Sequence, residues 1–165
     1  MSKQVKTAYR YRFYPSEELK IYLAQNFGCC RFVYNKILEY SETNYLTKFI
    51  DQNPKNKDPK NINPHYKNIT SNDRVKYVKT LKDTKVINEE TNQEELKYPW
   101  LHQAISISLQ QSARHLNETY DRFFKKTSAK PTWKKKINRN SFTITELFKA
   151  WSSAKFWRAN RKHSF

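Results

Sequence analysis

The chain has 165 residues and a mass of 20.0 kDa, enough for one domain with a core and too little for a two-domain enzyme of ordinary size. Thirty-two Lys and Arg against 15 Asp and Glu leave a net charge of +17, with a mean hydropathy of -1.00. No apolar run approaches the roughly 20 residues of a bilayer span, the first residues show no signal-peptide core, and 15% aromatic residues argue against a wholly disordered chain.

Residues 5–14 alternate Val5, Thr7, Tyr9, Tyr11 and Phe13 against a face carrying Arg10 and Arg12, which predicts a strand ended by Pro15. Ser16, Glu17 and Glu18 suit a helix start, and Leu19, Tyr22, Leu23 and Phe27 line one face of the helix that follows. Gly28 is the one glycine in the chain. Its place predicts a left-handed turn that closes this helix and opens a second, reaching about Ile50 on a stripe of Cys30, Val33, Tyr34, Ile37, Leu38, Ser41, Tyr45 and Phe49. The adjacent Cys29 and Cys30 read as small core residues, not a disulfide or a metal pair.

Residues 51–68, with three prolines and five asparagines, predict a long loop or flexible insertion. Ser71 or Asn72 is the expected cap of a short helix holding Val75, Val78 and Leu81, and Thr84 to Glu95 reads as a second polar stretch. Ile105, Leu109, Ser112, Ala113, Leu116, Tyr120 and Phe123 carry the strongest helical periodicity in the chain, over about six turns. After Pro131, residues 140–145 alternate again and predict a second strand.

Charge is unevenly placed. Residues 1–14 carry +4, residues 15–99 carry +2 and residues 100–165 carry +11. The densest run, Arg122, Lys125, Lys126, Lys130, Lys134, Lys135, Lys136 and Arg139, holds no carboxylate, and Trp133 stands inside it. Such self-repulsion favours an anionic partner, and an aromatic among cations suits base stacking beside phosphate contacts. Nucleic acid is therefore the expected partner, ahead of a solvated tail or a membrane surface. Arg31 reads equally as a phosphate contact or as the ion-pair partner of Glu39 or Glu42 across a helical hairpin.

Six segments in order carry a resemblance: Tyr11-Arg12-Phe13-Tyr14-Pro15, Phe27 to Lys36, Tyr98-Pro99-Trp100-Leu101, Ser108 to Ala113, Phe123-Phe124-Lys125, and Lys130 to Lys134 with Asn140 to Thr145. Together they resemble the amino-terminal third of the OrfB/TnpB family, insertion-sequence transposase-associated proteins with an amino-terminal helix-turn-helix, RNA-guided nucleases at full length and related to type V CRISPR effectors. The likeness covers residues 5–145. It implies a mainly α fold with minor β, in which a helical hairpin or bundle is inserted between strands of an incomplete small β-barrel-like wedge domain. Residues 1–15 would be the first wedge strand, 16–126 the helical recognition lobe with a helix-turn-helix at 16–50, 127–145 the basic segment and returning strand, and 146–165 an atypical tail set by a frameshift or early stop.

The family's partners imply guide RNA and target-flanking DNA. Gln110 matches a family glutamine facing the flanking duplex, with Ser106 where the family has a lysine. The expected nucleic-acid-binding set is Arg10, Arg12, Arg31, Gln110, Lys125, Lys126, Lys130, Trp133, Lys134, Lys135, Lys136 and Arg139.

No catalytic set emerges. The four histidines lack metal-ligand spacing, one glycine excludes a phosphate-binding P-loop, and the glutamates suit a helix start and a polar loop. From residue 121 on, the carboxylates are Asp121, Glu146 and the chain terminus, too few to build a two-metal nuclease centre there. The expectation is a binding protein of the prokaryotic cytoplasm with no nuclease activity, cofactor, metal or small-molecule substrate. The alternatives are a decayed gene product without selected activity, a helix-turn-helix DNA-binding module, and an enzyme completed by a separately encoded nuclease half.

Overall fold

The computed structural model describes residues 14–56, 58–89, 92–136, 141 and 143. The predicted strand at 5–14, all but the end of it, and most of that at 140–145 lie outside these residues, as do Arg10, Arg12 and Arg139.

Three helices carry the fold: α1 (Glu17–Leu46), α2 (Ser71–Asp83) and α3 (Ser106–Phe124). A two-stranded hairpin, β1 (Lys85–Ile87) against β2 (Glu94–Leu96), links α2 to the last part. The architecture is mainly α with minor β, as expected.

α1 corrects the sequence reading. It is one continuous helix of 30 residues, about 45 Å long, and it runs straight through Gly28. Gly28 has no positive φ, so it supplies no left-handed turn. The reason lies in the stripe. Asn26, Cys29, Cys30, Val33, Tyr34, Ile37, Leu38 and Ser41 are buried in unbroken three- and four-residue steps across the glycine. Burying that whole stripe against α2 and α3 outweighs the roughly 1 kcal/mol by which Gly disfavours a helix interior. At the start, Ser16 accepts from the Leu19 amide and Glu17 and Glu18 face the positive end of the dipole.

α2 is capped by Thr70, not by Ser71 or Asn72. Thr70 Oγ1 accepts from the Asp73 amide while the Asp73 carboxylate accepts from the Thr70 amide, a reciprocal capping box. Those bonds hold the Asp73 carboxyl below its ordinary 3.8. α3 follows its predicted span closely. Its end is a Schellman turn: Lys126 N–H donates to Phe123 O and Thr127 N–H to Arg122 O, with Lys126 at φ 58°.

The core sits where the three helices meet. Val33, Ile37 and Leu38 of α1, Leu81 of α2, and Leu109, Ala113 and Leu116 of α3 are buried, with Leu101 from a short 3-10 turn at Pro99–His102. Phe32 meets Tyr98 and Trp100 edge-on at 4.9 and 4.8 Å, and Tyr40 stacks on Tyr77 at 4.2 Å. Two polar side chains tie the helices together. Asn26 Oδ1 accepts from the Ile105 amide at 2.9 Å, which caps α3 from α1 where Ile105 has no capping side chain of its own. Arg74 donates to Ser41 Oγ and to Asn117 Oδ1 and lies 4.7 Å over the Tyr120 ring, joining α2 to both other helices.

Residues 51–56 and 58–68 belong to a loop closed at its neck. Ile50 N–H donates to Asn61 O, Asn63 N–H donates to Lys48 O, and side chains of Asp51, Asn53, Asn56, Asp58 and Asn63 accept from amides two residues ahead or close by. The polar stretch 84–95 holds β1 and all of β2 but Leu96, a hairpin that left no signal in the sequence: its strands are three residues long and exposed on both faces.

Candidate nucleic-acid interface

The segment after α3 crosses back over α1, and side chains one turn and more apart on α1 hold it there. Asn35 presents its amide to the backbone of Lys134: Oδ1 accepts from the Lys134 N–H at 2.8 Å and Nδ2 donates to Lys134 O at 3.1 Å. One residue back, the Tyr34 ring lies 4.1 Å below the Lys134 ammonium. Two turns on, Glu42 pairs with Lys130 at 2.8 Å, and that hydrogen bond pushes the Lys130 ammonium above its ordinary pKa of 10.5. Pro131, between these anchors, is buried.

This crossing opens a cleft of about 490 Å³. α1 lines it with Phe27, Cys30 and Arg31, α3 with Ser112 and His115, and the crossing segment with Thr132, Trp133, Lys134 and Lys135. Ser141 and Thr143 complete the lining, and no carboxylate is among these residues. The Lys134 residue is exposed as a whole, yet its ammonium is drawn in over buried Tyr34, and that desolvation pushes its pKa below 10.5. Burial pushes the Cys30 thiol above 9.0, so it stays protonated and unreactive near neutral pH. Burial raises Cys29 in the same way.

The expected binding residues divide into groups. Arg31, Trp133, Lys134 and Lys135 come together in the cleft. Arg31 is half-buried on α1 and pairs with neither Glu39 nor Glu42: Glu39 takes Lys36 and Glu42 takes Lys130. Both glutamates lie further along its own helix, so a pairing across a hairpin does not arise. Lys130 is committed to Glu42, while exposed Lys136 continues the segment beyond the cleft. Lys125 and Lys126 are exposed at the end of α3, and Gln110 is exposed on α3 outside the cleft lining. The sequence assigns Tyr34 and Phe27 only to apolar helix faces and gives Asn35 and His115 no place in the binding set. Asn35 stands inside the Phe32-Val33-Tyr34-Asn35 motif, so its position was visible and its contact, 99 residues away in the chain, was not.

Among the described residues no three His, Cys, Asp or Glu side chains group as metal ligands, and no helix is long and apolar enough to cross a membrane.

Residues 1–48 match the Helix-turn-helix domain of OrfB, IS605 type. The described part of that match, residues 14–48, consists of α1 and its two flanks. Over 152 residues, 92% of this chain, the sequence is 32% identical to a Streptomyces pristinaespiralis protein named "Putative RNA-guided DNA endonuclease". The chain spans 31% of that protein's length. No solved structure matches it. The chain is thus similar at its amino terminus to the OrfB-type helix-turn-helix domain and, over most of its own length, to under a third of that endonuclease-named protein.

Proposed function

We propose that this chain is a nucleic-acid-gripping part of an OrfB/TnpB-type protein, one that holds RNA or DNA by its phosphates and does not itself cut the strand. The observation that carries the reading is the convergence of Arg31, Lys134 and Lys135 with Trp133 in one cleft free of carboxylates. A cleft of one charge sign concentrates a polyanion, and exposed Lys125, Lys126 and Lys136 extend the positive surface beyond it. The relative's name joins an RNA guide to a DNA target, which supports either polymer as partner.

Major-groove reading by residues 29–42 as a recognition helix is the weaker alternative. Cys29, Cys30, Val33, Tyr34, Ile37 and Leu38 are all turned into the core, and Lys36 is paired with Glu39. That leaves few groups to meet base edges. Two-metal cleavage needs several carboxylates held close together, and among the described residues the acids lie mainly in caps, surface pairs and the hairpin.

Binding of a structured RNA and of a duplex DNA, titrated with salt, tests the proposal. Log affinity should fall with log salt by about 0.7 to 0.9 for each phosphate contact. A nearly flat salt dependence refutes phosphate gripping, and magnesium-dependent cleavage that follows the purified chain refutes the non-cutting part.

A further inference from the structure

Resting on the reading of the cleft as a nucleic-acid site, we infer that it takes one unpaired nucleotide of a single strand, with the base against Trp133 and the flanking phosphates on Arg31 and Lys135. The partner follows from shape and from which groups are uncommitted. At about 490 Å³ the cleft has the volume of a small-molecule site. A stacked base pair inside a duplex cannot enter it, since a duplex keeps its bases paired inside and offers only their edges through its grooves. A base swung out of a single strand presents a flat face to an aromatic ring, and this is how proteins hold single strands.

Trp133 is about half exposed (49%) while lining the cleft, so part of its indole remains accessible to a ligand. The side chains of Arg31 and Lys135 have no hydrogen-bond or ion-pair partner among the described residues, in contrast to Lys130, held by Glu42, and Lys134, seated on Tyr34. Two free cations beside an aromatic ring supply the contacts that the successive phosphate, base and phosphate of one strand need. Ser112 and His115 on the α3 wall add polar groups suited to a base edge.

The test uses the whole chain at one ionic strength, with short oligouridylate and oligodeoxythymidylate single strands and a short DNA duplex as probes. Trp133→Leu should lower single-strand affinity by roughly tenfold or more, as base stacking on an aromatic ring does, and leave duplex affinity within about twofold. Trp133→Phe should recover most of the loss, and the single strand should quench a tryptophan emission that Trp133→Phe removes. Arg31→Gln should weaken both ligands. The uridylate and thymidylate arms show whether RNA, DNA or both supply the strand. Equal loss of single-strand and duplex affinity in Trp133→Leu, or loss of neither, overturns the nucleotide site and leaves phosphate gripping in place. Failure of the unaltered chain to bind any probe overturns the gripping itself.

Discussion

Gly28→Ala separates one continuous helix from two helices joined by a turn, because the two predict opposite signs. Within α1 Gly28 has a helical backbone, and a Cβ built on it meets no atom within 4 Å. Alanine there is neither crowded nor strained. It restricts the unfolded chain and improves helix propensity, which should stabilise the fold by about 0.5 to 1 kcal/mol. For a chain of this size that raises the melting temperature by roughly 1 to 4 °C. A left-handed glycine would give the reverse, a loss of about 1 to 2 kcal/mol, because Cβ then collides with the next carbonyl. Thermal and urea unfolding followed by helical circular dichroism distinguish the outcomes. A fall in both midpoints refutes the uninterrupted α1, and with it the alignment of Phe27 and Arg31 with Tyr34 and Asn35 along one rod.

Three further changes test other joints of the fold. Asn26→Ala should cost roughly 1 to 3 kcal/mol, because the buried side chain leaves the Ile105 amide at the head of α3 without its acceptor; an unchanged urea midpoint refutes the cross-helix cap. Lys126→Gly should stabilise by about 1 kcal/mol, since Lys126 holds φ 58° in the Schellman turn, while polyanion affinity stays level or falls with the lost cation; destabilisation refutes that turn. Stability should hold level up to about pH 9 and fall above it, because burial raises Cys29 and Cys30 above 9.0 and Tyr34 and Tyr120 above 10.0. In the folded state these groups keep their protons longer, so the unfolded chain releases protons first and gains as pH rises. Urea midpoints measured from neutral to about pH 10.5 that stay flat or climb refute this.

Much of the fold was legible from spacing. The stripe from Ile105 to Phe123 marks α3 because burial on one face is a periodic signal, and Val75, Val78 and Leu81 mark α2 for the same reason. At Gly28 the local preference of glycine yields to a period that never breaks: Phe27 to Cys30 is a step of three, in phase with the residues on either side. The β1–β2 hairpin left no trace because both strands are exposed and an alternation needs a buried face. Polar joints such as Asn26 to Ile105, 79 residues apart, follow from tertiary placement, which hydrophobic periodicity does not report.

The basic run shows most plainly what spacing leaves out. As sequence, the cations from Arg122 to Arg139 are interchangeable charges, and their number alone suggests a polyanion. Folding makes the described ones unequal. Lys130 and Lys134 are spent on Glu42 and Tyr34, and the Asn35 amide fixes the backbone between Trp133 and Lys135. A segment already pinned loses less conformational freedom when it meets its ligand, so more of each phosphate contact remains as affinity. On this account the internal contacts of Lys130 and Lys134 strengthen binding beyond any charge these residues add: they convert a repelling, mobile string of charges into a fixed wall that lines the cleft with Trp133 and Lys135 beside Arg31.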